Sequence, residues 1–172
     1  GTKITMQHGE LQKANGRVEM GNIDIYYKPL PGLAFQTDTY TLKGEGVETF
    51  TPDFTYHGFQ YVEVKSDRPV KLNEESLTAL FVHTAVEPVG TFSCSNELMN
   101  KIWKATNQSY LSNLHSIPTD CPQRDERLGW LGDRTTGALG ESFIFDNALL
   151  YKKWLQDIYD SRDAQGRISD VS

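Results

Sequence analysis

The chain has 172 residues, a net charge of −6, 38% hydrophobic and 11% aromatic residues. That is length for one ordinary domain, or one small domain and part of another, with enough apolar mass for a packed core rather than disorder. The mild acidity and the lack of a basic run exclude an electrostatic footprint for nucleic acid or anionic membrane, and no apolar stretch approaches the roughly eighteen residues of a membrane span.

Gly1–Glu10 lacks the basic-then-apolar pattern of a signal peptide, and the compartment stays open. Two cysteines, Cys94 and Cys121, do not make a disulfide framework and leave thiols or one bridge equally open.

Up to about residue 90, β-branched and aromatic residues come in short runs split by turn signals. Ile23 to Tyr27 is strand-like. Tyr40 to Leu42 leads into Lys43-Gly44-Glu45-Gly46, a turn, and Val47 to Phe50 is the next run, closed by Pro52-Asp53. Phe54 to Val64 reads as strand, with Phe59 and Tyr61 on one face and Val62 and Val64 on the other. Leu77 to Val86 alternates again, placing Leu80, Val82, Thr84 and Val86 together. Short alternating strands at this spacing predict an antiparallel sandwich.

After Pro88 the period lengthens. Ser95 is a candidate helix cap with Glu97 in the first turn, and Leu98, Ile102 and Ala105 share a stripe beside Met99, Trp103 and Tyr110. A second helix is expected from Ile144, Ala148, Tyr151, Leu155 and Ile158, ending before the turn Asp163-Ala164-Gln165-Gly166. Ile117 to Gly140, between them, reads as loop. Strands followed by helices make an α+β chain in two parts. The boundary falls at residue 90, with a β-sandwich accessory domain over 1–90 and a helical part over 91–172. Two amphipathic helices with wide apolar stripes need more partners than this helical part supplies.

The densest segment is Pro118-Thr119-Asp120-Cys121-Pro122-Gln123-Arg124-Asp125-Glu126-Arg127-Leu128-Gly129-Trp130-Leu131-Gly132-Asp133. Its sixteen residues hold four carboxylates, two arginines, a tryptophan and two glycines. Pro118 and Pro122 oppose helix, and a rigid loop on a scaffold is a common home for active-site groups. The mixture suits a sugar. Carboxylates and arginine bond hydroxyl groups, and Trp130 offers a flat face to the C–H side of a pyranose. A carboxylic acid near an apolar ring or a second carboxylate can keep its proton at neutral pH and pass it to a glycosidic oxygen. The plain alternative for such residues is a solvated face with ordinary ion pairs.

The run from Pro118 to Trp130, followed by Gly132-Asp133, resembles the signature of the bacterial-type α-L-rhamnosidases. Phe54-Thr55-Tyr56-His57-Gly58-Phe59-Gln60-Tyr61-Val62-Glu63-Val64 resembles the strand region before that family's catalytic domain. Gly90-Thr91-Phe92-Ser93-Cys94-Ser95 resembles the approach to its first barrel helix, and Asp163 to Ile168 a later loop. The resemblance covers roughly Gly32 to the end, with His8-Gly9-Glu10 in keeping. Gln60 and Leu131 depart from it, standing where arginine and a small polar residue are frequent.

The resemblance implies a fragment: a β-sandwich followed by the first helices of an incomplete (α/α)6 barrel. It implies hydrolysis of terminal α-L-rhamnose with inversion, acting on rhamnose-containing oligosaccharides, polysaccharides or glycosides. The general acid falls on Glu126. Sugar-binding positions fall on Asp120, Arg124, Trp130 and Asp133, and Asp125 binds sugar or tunes the acid. The general base lies in a later part of the barrel, so neither Glu141 nor Asp146 takes that role and the fragment alone is expected to be inactive.

No cofactor and no metal are expected. His8, His57, His83 and His115 show no ligand spacing, and the carboxylates form no regular calcium loop. Trp103 and Trp154 read as core residues. The competing function is a non-catalytic module, in which Tyr40, Phe54, Tyr56 and Tyr61 bind carbohydrate or the sandwich merely braces the barrel.

Overall fold

A computed structural model describes residues 1–26 and 34–171. The chain is α+β and divides into two compact units. Unit 1 comprises Gly1–Phe81 together with Pro122–Glu126, and unit 2 comprises Val82–Cys121 together with Arg127–Ser172.

Unit 1 is built on an antiparallel sheet. Its strands are β1 (Lys3–Gly9), β2 (Leu11–Gln12), β3 (Val18–Glu19), β4 (Thr37–Thr41) and β5 (Tyr61–Ser66). β1 is central, with β4 and β5 on either side, in registers Ile4↔Tyr40 and Met6↔Val64. β2 and β3 form a small hairpin whose Val18 is buried. The inner ladder carries few large apolar side chains, and polar pairing supplements it. Glu63 accepts from the Arg17 side chain at 2.9 Å and from Val18 N at 3.1 Å.

Gln36 stitches this unit together. Its side chain is buried, and Nε2 donates to His8 O at 3.3 Å and to Gly58 O at 3.0 Å. Its φ of 48° is left-handed, a conformation costly for a residue with a Cβ and retained where surrounding contacts over-determine it.

Several strand expectations fail here. Ile23–Tyr26 forms turns and bends rather than strand, and Tyr27 lies outside the described residues. The run Val47–Phe50 has no ladder, and Val47 is fully exposed. The strand expected over Phe54–Val64 begins only at Tyr61, where the ladder with β1 ends at Gly9↔Tyr61, and Phe54 itself takes φ 58°, outside the extended region. Alternation over Leu77–Val86 makes no strand among the described residues. Apolar periodicity needs a neighbouring backbone to become a ladder, and Leu77, Leu80, Phe81 and Val82 are exposed.

Unit 2 contains β6 (Glu87–Pro88), α1 (Glu97–Ser112), β7 (Leu114–His115), β8 (Ile117–Pro118), α2 (Leu131–Ser142), β9 (Phe145–Asp146) and α3 (Ala148–Asp160). β6 pairs with β9, and β7 with β8. Asn96, not Ser95, caps α1: its side chain accepts from Leu98 N at 3.0 Å and Met99 N at 3.4 Å. The apolar stripe of α1 is exposed at Leu98, Met99 and Ile102, while Phe92 tilts against Trp103 at 5.7 Å.

α3 starts later than its pattern predicts, because 143–147 turns and pairs before helix begins. Its buried side is Leu150, Trp154 and Ile158, whereas Leu155 is exposed. α2 is a further difference. It occupies residues expected to be loop, and it forms despite Gly132, Gly137 and Gly140, each costing about 1 kcal/mol relative to alanine in a helix interior. No helix among the described residues is long and apolar enough to cross a membrane.

Candidate active site

The segment Pro118–Asp133 passes through both units. Asp120 and Cys121 belong to unit 2, Pro122–Glu126 to unit 1, and Arg127 onward to unit 2 again. Within unit 2, Asp120 closes the excursion by pairing twice with Leu128. Asp120 N donates to Leu128 O at 2.9 Å, and Leu128 N donates to Asp120 Oδ1 at 2.7 Å. A carboxylate accepting a backbone N–H holds a loop firmly, since the charged acceptor strengthens the bond. Arg127, which follows Glu126, has φ 43°.

Within unit 1 the five residues Pro122–Glu126 are held by three long-range backbone contacts. Gly58 N donates to Pro122 O at 3.0 Å, and Asp125 N donates to Ile23 O at 3.1 Å. Tyr26 N donates to both carboxylate oxygens of Asp125, at 3.0 and 3.1 Å. Asp125 is only 8% exposed, so this carboxylate is bound to the scaffold. Arg124 and Glu126 face each other two residues apart, with Nη2 to Oε2 at 3.1 Å. The Arg124 guanidinium also lies 5.2 Å from the Tyr26 ring centre, within cation–π range. The Glu126 side chain is 17% exposed. The signature therefore presents Glu126 as a largely covered acid with a cationic neighbour, on a backbone that the sheet unit fixes.

Trp130 and Asp133 lie in unit 2. Trp130 is half-buried, precedes α2, and forms a β-bridge with Val171; Leu131 N donates to Asp170 O at 3.0 Å. Asp133 is exposed in the first turn of α2, where the helix dipole favours its negative charge. Of the six residues singled out by sequence, Arg124, Asp125 and Glu126 are thus gathered in unit 1, and Asp120, Trp130 and Asp133 in unit 2.

A polar cluster that the sequence does not reveal underlies α2. Glu141 is fully buried, ion-paired with Arg134, and accepts from Tyr151 Oη at 2.6 Å and Asn147 Nδ2 at 3.2 Å. Arg134 Nε donates to Tyr151 Oη at 2.9 Å. Burial first, then the hydrogen bond to Glu141, push the Tyr151 phenol up to about 12, so it stays a donor throughout the physiological range. This cluster anchors α2 to α3 and explains how a glycine-rich helix is kept.

Tyr26, Gly58 and Gln36 also escape a reading of the sequence. Each acts through backbone or a contact distant in sequence, so only the Gly58 neighbourhood leaves a trace, inside the motif Tyr56-His57-Gly58. A cavity of about 320 Å³ in unit 1 is lined by Gln7, Lys13, Arg17 and Glu63 among others, and contains no residue of the signature. Cys94 is exposed and Cys121 buried, with no bridge between them.

Two family descriptions match the chain: the bacterial alpha-L-rhamnosidase concanavalin-like domain over residues 1–83, and the bacterial alpha-L-rhamnosidase 6 hairpin glycosidase domain over residues 87–172. An alpha-L-rhamnosidase of Streptomyces avermitilis is 36% identical over 172 residues, covering 100% of this chain and 16% of that protein. One from Formosa agariphila is 37% identical over 127 residues, covering 74% of this chain and 13% of that protein. Among solved structures, the alpha-L-rhamnosidase from Dictyoglumus thermophilum superposes with a TM-score of 0.86 at 45% identity, over 99% of this chain and 18% of that one. The Streptomyces avermitilis alpha-L-rhamnosidase complexed with L-rhamnose gives 0.84 at 37% identity, over 100% and 16%. The chain thus spans less than a fifth of the length of these relatives.

Proposed function

This chain belongs to the bacterial α-L-rhamnosidase family, and we propose that the whole protein hydrolyses terminal α-L-rhamnose from rhamnosides with inversion. Glu126 is the general acid. It hands its proton to the glycosidic oxygen as the bond to the anomeric carbon breaks, while a water attacks the opposite face. Inversion requires a second carboxyl group about 6.5–9.5 Å from the first, to leave room for that water. A later part of the catalytic barrel supplies that base. Residues 1–90 form the accessory β-domain and 91–172 the start of the helical catalytic barrel.

The observation that carries this reading is the setting of Glu126. It stands in an intact signature, largely covered, on a five-residue segment fixed at Pro122 and Asp125. A general acid must be held within hydrogen-bond reach of the oxygen it protonates, and mobility there is expensive in rate. Asp120, Arg124, Trp130 and Asp133 supply hydroxyl contacts and an apolar face to the sugar. Asp125 acts differently: with both oxygens on Tyr26 N, it positions the residues beside it.

The first sugar released decides the stereochemical part. Proton NMR of the whole protein hydrolysing an α-L-rhamnoside should show β-L-rhamnose appearing first, with the α-anomer growing in only by mutarotation. First-formed α-L-rhamnose would mean retention and remove the two-carboxylate inverting scheme.

A further inference from the structure

The sequence shows no ligand spacing among its histidines, yet unit 1 folds two of them onto one carboxylate. His57 Nε2 lies 2.9 Å from Asp38 Oδ2, and the His8 and His57 rings stack at 4.4 Å between centroids, 28° from parallel. One ligating atom from each of His8, Asp38 and His57 lies within 4.8 Å of the others. The side chains of His57 and Asp38 are only 10% and 12% exposed, and His8 is buried. None of the three belongs to the rhamnosidase signature.

We propose that His8, His57 and Asp38 form a binding site for a divalent transition-metal ion of the zinc class. The donor set is two imidazoles and a carboxylate, which suits zinc, cobalt or nickel and not the all-oxygen preference of calcium or magnesium. Metal–ligand bonds of about 2.0–2.1 Å put two ligands of a tetrahedral ion about 3.4 Å apart, so the three side chains, whose ligand atoms lie within 4.8 Å of one another, draw together around an ion. Three protein ligands leave a fourth position for water.

The surroundings are those of a built site. His8 Nδ1 lies 3.2 Å from Gln36 O. A carbonyl oxygen only accepts, so this bond puts the proton on Nδ1 and leaves the Nε2 lone pair for an ion, the usual outer support of a ligating histidine. His57 Nδ1 is buried and has no hydrogen-bond partner among the described residues. The nitrogen of His57 that faces Asp38 is Nε2, so Nε2 is its ligating atom and Nδ1 points away from the ion. An ion here ties the end of β1 to β4 and to the residue before Gly58, so it braces the anchor of Pro122–Glu126.

The test uses the whole protein, stripped of metal with a chelator and titrated with zinc in a calorimeter. Wild type should take up one more equivalent than His57→Gln, and its Tm should rise with added zinc while that of the variant does not. Cobalt in place of zinc should give visible d–d absorption that the same substitution abolishes. Should His57→Gln fail to fold, Asp38→Asn carries the same comparison at unchanged side-chain volume. Equal uptake by wild type and a folded variant, or no uptake by wild type, would overturn the site.

Discussion

Gly58 donates its backbone N–H to Pro122 O at 3.0 Å, joining two positions 64 residues apart, one in the motif before β5 and one in the acidic signature. The approach is close enough to need glycine. A Cβ on residue 58 would lie 2.8 Å from the carbonyl carbon of Pro122 and 2.9 Å from the backbone nitrogen of Gln123. Both are backbone atoms and cannot rotate away.

Gly58→Ala should therefore push Pro122–Glu126 out of place rather than unfold the chain. With displacements of about 1 Å costing up to roughly a hundredfold in rate, kcat/KM of the whole enzyme should fall about 10- to 100-fold with little change in Tm. Steady-state assay beside a thermal melt checks this, and parent-like kcat/KM would show that the close approach carries no positioning role.

Asp125 is the second fastening. Asp125→Ala strips Tyr26 N of both of its acceptor oxygens. The bond is only part-buried and Tyr26 is exposed, so water can reach the freed N–H and the loss should be about 1 kcal/mol. Asp125→Asn keeps one acceptor oxygen and should lose less. Urea unfolding of the three proteins orders them; equal midpoints would mean that the carboxylate does not hold the loop.

In unit 2 the Glu141 cluster should be the costliest polar group to disturb. Glu141→Ala leaves the Arg134 cation covered without its carboxylate partner, and breaking a buried pair in this way costs about 3–5 kcal/mol. Tyr151→Phe removes one hydroxyl that serves both partners and should cost less, about 1–3 kcal/mol. Denaturant midpoints of the two variants against wild type check the order.

His115 makes stability depend on pH. Burial, more than the nearby Arg127 and His83 charges, holds its pKa below 6.5 in the folded state, against the backbone bond with Ser112. The unfolded chain therefore binds the proton first as pH falls. The stabilising contribution is complete above the unfolded value of about 6.5 and is lost as pH drops from there through the folded pKa. His115→Gln should flatten that acid-side decline in Tm between pH 7 and 5, relative to wild type; an unchanged slope would assign the decline to other groups.

What can be read from sequence is what is local. α1 and α3 announce themselves by apolar steps of three and four, and the signature is contiguous, so its sixteen residues can be found without a fold. On α3, Trp154 and Ile158 are buried as read, while Leu155 is misjudged, because it fits the period as well as they do and only packing distinguishes them. α2 is hidden by its glycines, since the contacts that hold it, Arg134 to Glu141 and Tyr151, make sense only once the helix exists. The central strand β1 escapes notice because Lys3-Ile4-Thr5-Met6-Gln7-His8-Gly9 carries little apolar alternation and is defined by pairing with β4 and β5 on both sides. The anchors of the candidate site are invisible for the same reason: Tyr26 meets Asp125 across 99 residues, through a backbone N–H that has no residue-type signal.

The proposed mechanism turns on Glu126 as the proton donor. The most direct measurement compares Glu126→Gln with wild type in the whole protein, on a rhamnoside with an alkyl leaving group and on one with a nitrophenyl leaving group. General acid catalysis contributes about 10²- to 10⁴-fold, and it matters most where the departing oxygen is basic. The alkyl rhamnoside should lose that factor in kcat/KM, and the nitrophenyl rhamnoside far less. Equal losses on both substrates, or near wild-type turnover of the alkyl rhamnoside, would contradict the assignment.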